Sequence, residues 1–144
     1  MPILRRKRKF PIRVEDLMST PPVVIKRDTT IEEAAKIMGE NNIGSLMIVN
    51  EEGAIEGIVT ERDMIYAIAE NKVGKGLPIW AIMTENPITI KPKASITEAI
   101  KIMRDANIRH LPVVDEENKP IGMLSLRDII DAVVTLIQIF FVYE

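Results

Sequence analysis

The sequence predicts an α+β fold in which one β-α-β-β-α motif is internally duplicated, with two sheets packed about a pseudo-twofold axis. Three observations predict it: a repeat at an offset of 65 residues, short β-rich runs alternating with helical periodicity, and a length of 144 residues at 47% hydrophobic content. That length suits one compact domain and is too short for two ordinary ones. Neither half would bury a sheet well alone, so we expect the halves to pack on each other.

The repeat is the strongest signal in the chain. "GIVTERD" (57–63) returns as "GMLSLRD" (122–128), and "IEEAAKIM" (31–38) returns as "ITEAIKIM" (96–103). Single residues recur at the same offset: Met18 with Met83, Pro22 with Pro87, and Gly57 with Gly122. The register needs no gap from Met18 to at least Ala67, which indicates duplication of one structural unit.

Each copy has the same order of predicted elements. "PPVVI" and "NPITI" are short β-rich runs that a proline opens. Apolar residues then recur at helical spacing after Thr30 and Ser95, and Glu33 and Glu98 complete a capping-box pattern. "SLMIV" and "HLPVV" predict a second strand, a polar turn follows, and "EGIVT" and "IGMLS" predict a third. A last helix is predicted to begin after Thr60 and after Ser125.

The C-terminal stretch "IIDAVVTLIQIFFVY" predicts a helix with one narrow polar stripe formed by Asp131, Thr135 and Gln138. Its fifteen residues would span about 22 Å, which is short of the ~30 Å hydrocarbon core of a bilayer, so no membrane span is predicted. One apolar face is expected to complete the second motif. The remaining apolar face predicts a partner helix, most simply in a homodimer.

Composition excludes several classes of site. The chain has no cysteine, which excludes disulfides, thiolate metal sites and a cysteine nucleophile, and is typical of a cytoplasmic protein. Residues 1–13 carry six basic residues and no acid; because the whole chain is −2, the remainder carries −8. No apolar segment of a secretory signal follows the basic cluster. The sequence has a basic arm of Arg5, Arg6, Lys7, Arg8 and Lys9. This arm either contacts nucleic acid or anionic lipid, or is solvated or folded against the acidic body.

The duplicated motif, with its "DLMSTPPVVI" and "AIMTENPITI" openings and its "GIVTERD" and "GMLSLRD" endings, resembles a tandem pair of CBS domains, a Bateman module, over about residues 14–135. The resemblance implies a regulatory, non-catalytic module that binds AMP, ADP, ATP or S-adenosylmethionine between its motifs, often as a homodimer. It predicts a basic arm (1–13), a first motif (14–70), a linker (71–78), a second motif (79–135) and an apolar helical extension (136–144).

Asp63 and Asp128 have two interpretations. Each stands three residues after a hydroxyl, Thr60 or Ser125, so each pair is able to cap a helix. Alternatively, a short carboxylate in the first turn accepts hydrogen bonds from two ribose hydroxyls, and the helix N-terminus meets phosphate. The family resemblance favours ribose binding by Asp63 and Asp128, with Thr60 and Ser125 beside them.

The resemblance also implies an apolar slot for adenine at the first strand of each motif. Its predicted residues are Thr20, Val23 and Val24 in the first copy, and Thr84 or Glu85, Ile88 and Thr89 in the second. The alternative is that Val23, Val24 and Ile88 are ordinary core residues.

Arg109 and His110, followed by Pro112, resemble the basic pair that some family members direct at phosphates, whereas the first copy has Gly44 and Ser45 there. A cleft reached by Arg109 and His110 is therefore expected to suit phosphorylated ligands better.

The sequence supports three hypotheses of function, in decreasing order of preference. The first is an adenosine-derivative sensor without catalysis, metal or cofactor, which acts on a separate partner protein of unknown identity. The second is a scaffold or nucleic-acid-binding protein that uses the basic arm and has empty clefts. An enzyme is the least favoured, because no nucleophile with a base, metal cluster or carboxylate pair is assembled. Arg62 and Arg127 either contact phosphate or pair with surface acids, and Trp80 is expected to pack near the domain centre.

Overall fold

The computed structural model describes residues 12–141, and two similar units follow each other along them. The first contains helix α1 (Val14–Leu17), strand β1 (Val24–Lys26), helix α2 (Ile31–Asn41), strands β2 (Ser45–Val49) and β3 (Ile55–Thr60), and helix α3 (Glu61–Ala69). The second contains a 3-10 turn (Ile79–Ala81), strand β4 (Thr84–Glu85), helix α4 (Ile96–Ala106), strands β5 (His110–Val114) and β6 (Pro120–Ser125), and helix α5 (Leu126–Phe141). The predicted α+β fold is confirmed.

The long helix of each unit begins and ends with the same chemistry. Thr30 Oγ1 accepts from the Glu33 N–H and Ser95 Oγ accepts from the Glu98 N–H, both at 3.1 Å. These bonds satisfy one of the free donors at each helix start. At the other end, Asn42 and Asn107 both take the left-handed conformation at φ 52°, which asparagine tolerates better than most residues.

Two sheets form the centre of the molecule. In the larger sheet β1 is parallel to β2, and β2–β3 and β3–β4 are antiparallel; the smaller sheet is the antiparallel pair β5–β6. Met47 and Ile55 of the first sheet form one buried cluster with Val114 of the second. The sheets therefore pack against each other, as the duplication predicts.

The opening segment of each unit leaves its own unit and joins the sheet of the other. Ser19 pairs with Met123 of β6, and β4 pairs with β3, with Thr84 opposite Ile58. Both pairings are related by the 65-residue offset. Residues 20–23 then cross back to β1, and residues 86–89 cross to Ile90, which pairs with β5. We call 20–23 and 86–89 the first and second crossing segments.

The exchange extends to the hydrophobic cores. Val14 of α1 is fully buried in the core of the second unit, and Ile79 is fully buried in the core of the first. Ile12 also packs on the second core, where its carbonyl accepts from the Ile96 N–H at 3.1 Å. Each core therefore needs side chains from both halves, which explains why neither half is a domain by itself.

The repeated glycines explain how the opening segments fit. A Cβ on Gly122 would lie 2.8 Å from Met18 Sδ and 2.9 Å from the Ser19 carbonyl oxygen. On Gly57 it would lie 2.6 Å from Met83 Sδ. These separations are far inside van der Waals contact, so each sheet accepts the other unit's opening segment only because the position is glycine.

The second opening run does not form the predicted strand. In the first unit three residues of β1 pair with β2, whereas in the second only Ile90 pairs, with Val113. In the repeat Pro112 is equivalent to Met47, which pairs with Val24 in the first unit. Proline has no N–H to donate to such a pairing. The loss of this donor shortens the pairing and leaves residues 86–89 outside the sheet.

The linker (71–78) is held by a carboxylate of helix α2. Glu32 Oε1, in the first turn of α2, accepts from the Gly74 N–H at 2.7 Å and from the Gly76 N–H at 3.1 Å. Its own backbone N–H and that of Gly76 lower the pKa of this carboxyl.

The expectation for Trp80 is wrong: the indole is 50% exposed, because the neighbouring Ile79 takes the buried position of the 3-10 turn.

Helix α5 has three distinct faces. One face, centred on Ile129, packs on the second core. Asp131, Thr135 and Gln138 form the predicted polar stripe, and all three are exposed. The third face carries exposed apolar residues: Ile130, Val133, Val134, Ile137, Phe140 and Phe141. Between residues 12 and 141, no helix has the length and apolar character needed to cross a bilayer.

Candidate functional site

The Asp128 carboxylate lies where the two units meet. Its Oδ2 accepts from the Ser125 N–H at 2.8 Å, and Ser125 Oγ accepts from the Asp128 N–H at 3.2 Å. Its Oδ1 accepts from Ser19 Oγ of the other unit's opening segment at 3.4 Å. The capping interpretation is therefore confirmed, but capping uses only one oxygen, and the other is directed at a hydroxyl across the junction.

Asp63 repeats this arrangement at the start of α3. Its Oδ2 accepts from the Thr60 N–H at 2.8 Å and from Thr60 Oγ1 at 3.2 Å. Its Oδ1 accepts no hydrogen bond from residues 12–141. The helix start holds the carboxylate in place and leaves one oxygen for a further donor.

We define two clefts from these helices. The α5 cleft is formed by Ser125 and Asp128 together with Ser19 and the first crossing segment, which begins at Thr20. The α3 cleft is formed by Thr60 and Asp63 together with Thr84, Glu85 and the second crossing segment. The pairing of Ser19 with β6 and of β4 with β3 brings each opening segment to the helix of the other unit. Both clefts are therefore made by both units.

The predicted adenine-slot residues are not closed inside the cores. Val24 is 41% exposed and Ile88 is 47% exposed, so the core interpretation fails for both; Val23 is half-buried and packs on the first core. A groove of about 490 Å³ along α4 includes Ile88, and a neighbouring groove of about 320 Å³ includes Thr89. Neither groove includes Asp63 or Asp128, so these two grooves do not join the predicted slot residues to either aspartate.

His110 lies at the junction between the units. A Cβ on Gly44 would lie 3.2 Å from His110 Cε1 and 3.3 Å from the Glu61 carboxylate. The imidazole of the second unit therefore reaches the first turn of α3 in the first unit. Desolvation lowers the pKa of His110, Glu61 raises it, Arg109 lowers it and Asp128 raises it. Burial is the largest effect, so the neutral imidazole is favoured.

The remaining predicted residues have different environments. The Arg109 carbonyl accepts from the Leu126 N–H at 2.8 Å, which places its backbone at the start of α5. Pro112 is buried. Arg62 and Arg127 are exposed, and neither makes an ion pair with the described residues. The cluster Arg5–Lys9 lies outside the described residues, within which no group of His, Asp and Glu side chains is arranged to hold a metal.

Sequence reasoning missed two residues of the clefts. Ser19 donates to Asp128, and the repeat already aligned it with another hydroxyl residue, Thr84. Glu61 lies beside His110, yet the repeat aligns it with Leu126, so conservation between the copies could not have found it. The signal for Glu61 is its position as the first residue of α3, next to Thr60.

Comparison with known proteins identifies the family of this double motif. The profile of the CBS domain matches residues 14–70 and again residues 79–135. The chain belongs to the CBS domain family. The structural neighbours are CBS domain pairs, so the duplicated unit is a Bateman module.

Relatives of known structure are similar over most of the chain. A CBS domain pair in complex with 5′-methylthioadenosine and S-adenosyl-L-methionine has a TM-score of 0.82 at 34% identity, covering 87% of this chain and 98% of its own. A CBS domain protein from Pyrobaculum aerophilum, complexed with AMP, has a TM-score of 0.76 at 30% identity, covering 86% and 99%.

Curated relatives include CBS proteins and larger enzymes. A CBS domain-containing protein of Dictyostelium discoideum is 32% identical over 88% of this chain and 94% of its own length. An L-aspartate semialdehyde sulfurtransferase of Methanocaldococcus jannaschii is 38% identical over 84% of this chain, but the match covers only 23% of the enzyme. In that enzyme the similar region is one part of a longer protein.

Proposed function

We propose that this chain is a regulatory sensor that binds an adenosine derivative in the clefts between its two CBS motifs and has no catalysis of its own. The observation that carries the proposal is the repeated carboxylate, Asp63 or Asp128, which its helix cap holds by one oxygen. The other oxygen lies outside the cap, and in Asp128 it accepts from Ser19 Oγ at 3.4 Å. Vicinal ribose hydroxyls are suitable donors to that oxygen. The two relatives complexed with adenosine derivatives support the choice of ligand.

The exposed side chains of the crossing segments supply the second half of the ligand site. Adenine needs an apolar surface with polar backbone at its edge. Partly exposed apolar surface is offered by Val24, at the start of β1 directly after the first crossing segment, and by Ile88, within the second. Thr20, Val23, Thr84 and Thr89 complete the two walls in this proposal. Pro112 assists by releasing residues 86–89 from strand pairing.

Regulation would act through the junction. A ligand that contacts Asp128 and the first crossing segment touches both units at once, because the opening segment of one unit joins the sheet of the other. Such a ligand favours one arrangement of the two motifs by its differential affinity. A partner protein then distinguishes the liganded arrangement from the free one.

We also propose that the active form is a homodimer joined through α5. Its exposed apolar residues at 130, 133, 134, 137 and 141 follow the spacing of a helix–helix seam. A second copy of the same helix is self-complementary to such a seam under twofold symmetry. Ile65, Tyr66 and Ile68 on α3 add further exposed surface.

The binding proposal is tested by isothermal titration with AMP, 5′-methylthioadenosine and S-adenosylmethionine. Asp63→Ala and Asp128→Ala should each weaken binding at one cleft. Both substitutions also remove a helix-capping interaction, so Thr30→Ala serves as the matched control, because it removes the N-cap of α2 outside the clefts. Binding that Thr30→Ala and the aspartate variants reduce equally would contradict the proposal.

A further inference from the structure

Matched positions in the two clefts carry different charges. The Glu61 N–H donates to the Gly44 carbonyl at 3.1 Å, and the Leu126 N–H donates to the Arg109 carbonyl at 2.8 Å. Residues 61 and 126 are therefore equivalent first residues of α3 and α5. One is a carboxylate, and the other is a half-buried leucine that packs on the second core.

The Glu61 carboxylate is directed toward the junction. Its Cδ and Oε1 both lie 3.3 Å from the position that a Cβ on Gly44 would take, beside His110 Cε1. Because Gly44 has no side chain, the carboxylate approaches the backbone just before β2, at the N-terminal end of α3. A helix N-terminus beside a ribose-binding carboxylate is where a nucleotide phosphate would lie, and an acid there repels it.

The opening segments increase this difference. Glu85 follows Thr84 in β4 and is exposed, whereas its counterpart after Ser19 is Thr20. The α3 cleft thus has the Glu61 carboxylate at its helix start and the acidic residue Glu85 in its opening segment, where the α5 cleft has Leu126 and Thr20. Asp63 and Arg62 are matched by Asp128 and Arg127, so these pairs do not offset the difference.

We infer that Glu61, supported by Glu85, makes the α3 cleft selective for adenosyl ligands whose 5′ substituent is cationic or neutral, and leaves phosphorylated ligands to the α5 cleft. The inference rests on the proposed function and adds a division of ligands between the clefts. Like charges at close range repel, and a sulfonium or ammonium group is attracted by the same carboxylates.

The inference agrees with the expectation for Arg109, whose backbone lies at the start of α5, and departs from the expectation for His110. The imidazole does reach the α3 end of the junction, but it lies beside Glu61. Burial favours its neutral form, so at neutral pH it offers a phosphate little positive charge. Glu61, which the sequence repeat did not mark, places a carboxylate beside this imidazole.

The test compares three ligands that share the adenosyl group and differ at the 5′ end: AMP at about −2, neutral 5′-methylthioadenosine, and cationic S-adenosylmethionine. Titrations use Asp128→Ala, in which the α3 cleft remains. S-Adenosylmethionine and methylthioadenosine should bind this variant at least about tenfold more tightly than AMP. Adding Glu61→Gln should raise the AMP affinity about tenfold and leave methylthioadenosine unchanged.

Glu116→Gln is the charge control, because it removes one negative charge from the exposed β5–β6 turn. It should leave all three affinities unchanged. Tight AMP binding to Asp128→Ala, or AMP affinity unaffected by Glu61→Gln, would overturn the selectivity while leaving the sensor intact. Failure of all three ligands to bind the wild-type chain would instead overturn the proposed function, and the inference with it.

Discussion

At the scale of single residues, the repeated glycine is where the fold is most sensitive. Gly122→Ala would place a Cβ 2.9 Å from the Ser19 carbonyl oxygen, which is backbone and cannot move aside like a side chain. We expect a loss of about 1–3 kcal/mol in the free energy of unfolding, measured by urea denaturation. The variant should also bind adenosine derivatives less tightly, because Ser19 and Thr20 must shift.

Gly39→Ala is the matched control for this substitution. Gly39 lies within α2, and a Cβ there would meet no atom within 4 Å. Alanine should therefore stabilise the protein by about 0.5–1 kcal/mol through its higher helix propensity. Equal changes in the free energy of unfolding for the two substitutions would contradict the conclusion that Gly122 is needed for close packing against the opening segment.

His110 gives a single-residue test of the junction. Burial is the main cause of its lowered pKa, so the unfolded chain binds a proton more readily than the folded chain below the ordinary value of 6.5. Stability should therefore fall as pH drops through the window below 6.5, and His110→Gln should lose that part of the slope. As His110 is the only histidine, NMR titration reports it directly; a midpoint at or above 6.5 would contradict burial as the main cause.

At the scale of elements, the third face of α5 decides assembly. Val134→Glu and Ile137→Glu place charges in the exposed apolar seam, whereas Gln138→Glu places one in the polar stripe. By light scattering the wild type should have twice the 16.2 kDa mass of one chain. The seam variants should be monomers and the Gln138 variant a dimer, because charge is costly only in a buried interface. A monomeric wild type would contradict the proposed dimer.

Most helices and strands could be predicted from local signals. Thr30, Ser95 and the polar turns mark boundaries that depend on nearby residues only, and the structure confirms them. The shortened second opening strand was missed because Pro112 acts on a segment more than twenty residues away in sequence. Trp80 was misplaced because its burial depends on which residue of a short turn enters a core of the other unit.

At the scale of the whole molecule, the exchange of opening segments is the central feature. Val14 and Ile79 each complete the core of the other unit, so the two motifs should unfold together. The 65-residue repeat predicts two equivalent units. The same repeat is compatible with opening segments that pack within their own unit and with opening segments that are exchanged between the units. For this reason the sequence marked Asp63 and Asp128 and did not indicate which crossing segment faces each of them.

The most direct test of the account is the number of adenosyl ligands that one chain binds. Calorimetric titration with neutral 5′-methylthioadenosine avoids the charge difference between the clefts. The account predicts two ligands per wild-type chain, one for Asp63→Ala or Asp128→Ala, and none for the double variant, with each variant shown to be folded. Unchanged binding by the double variant, or no binding by the folded wild-type chain, would contradict it.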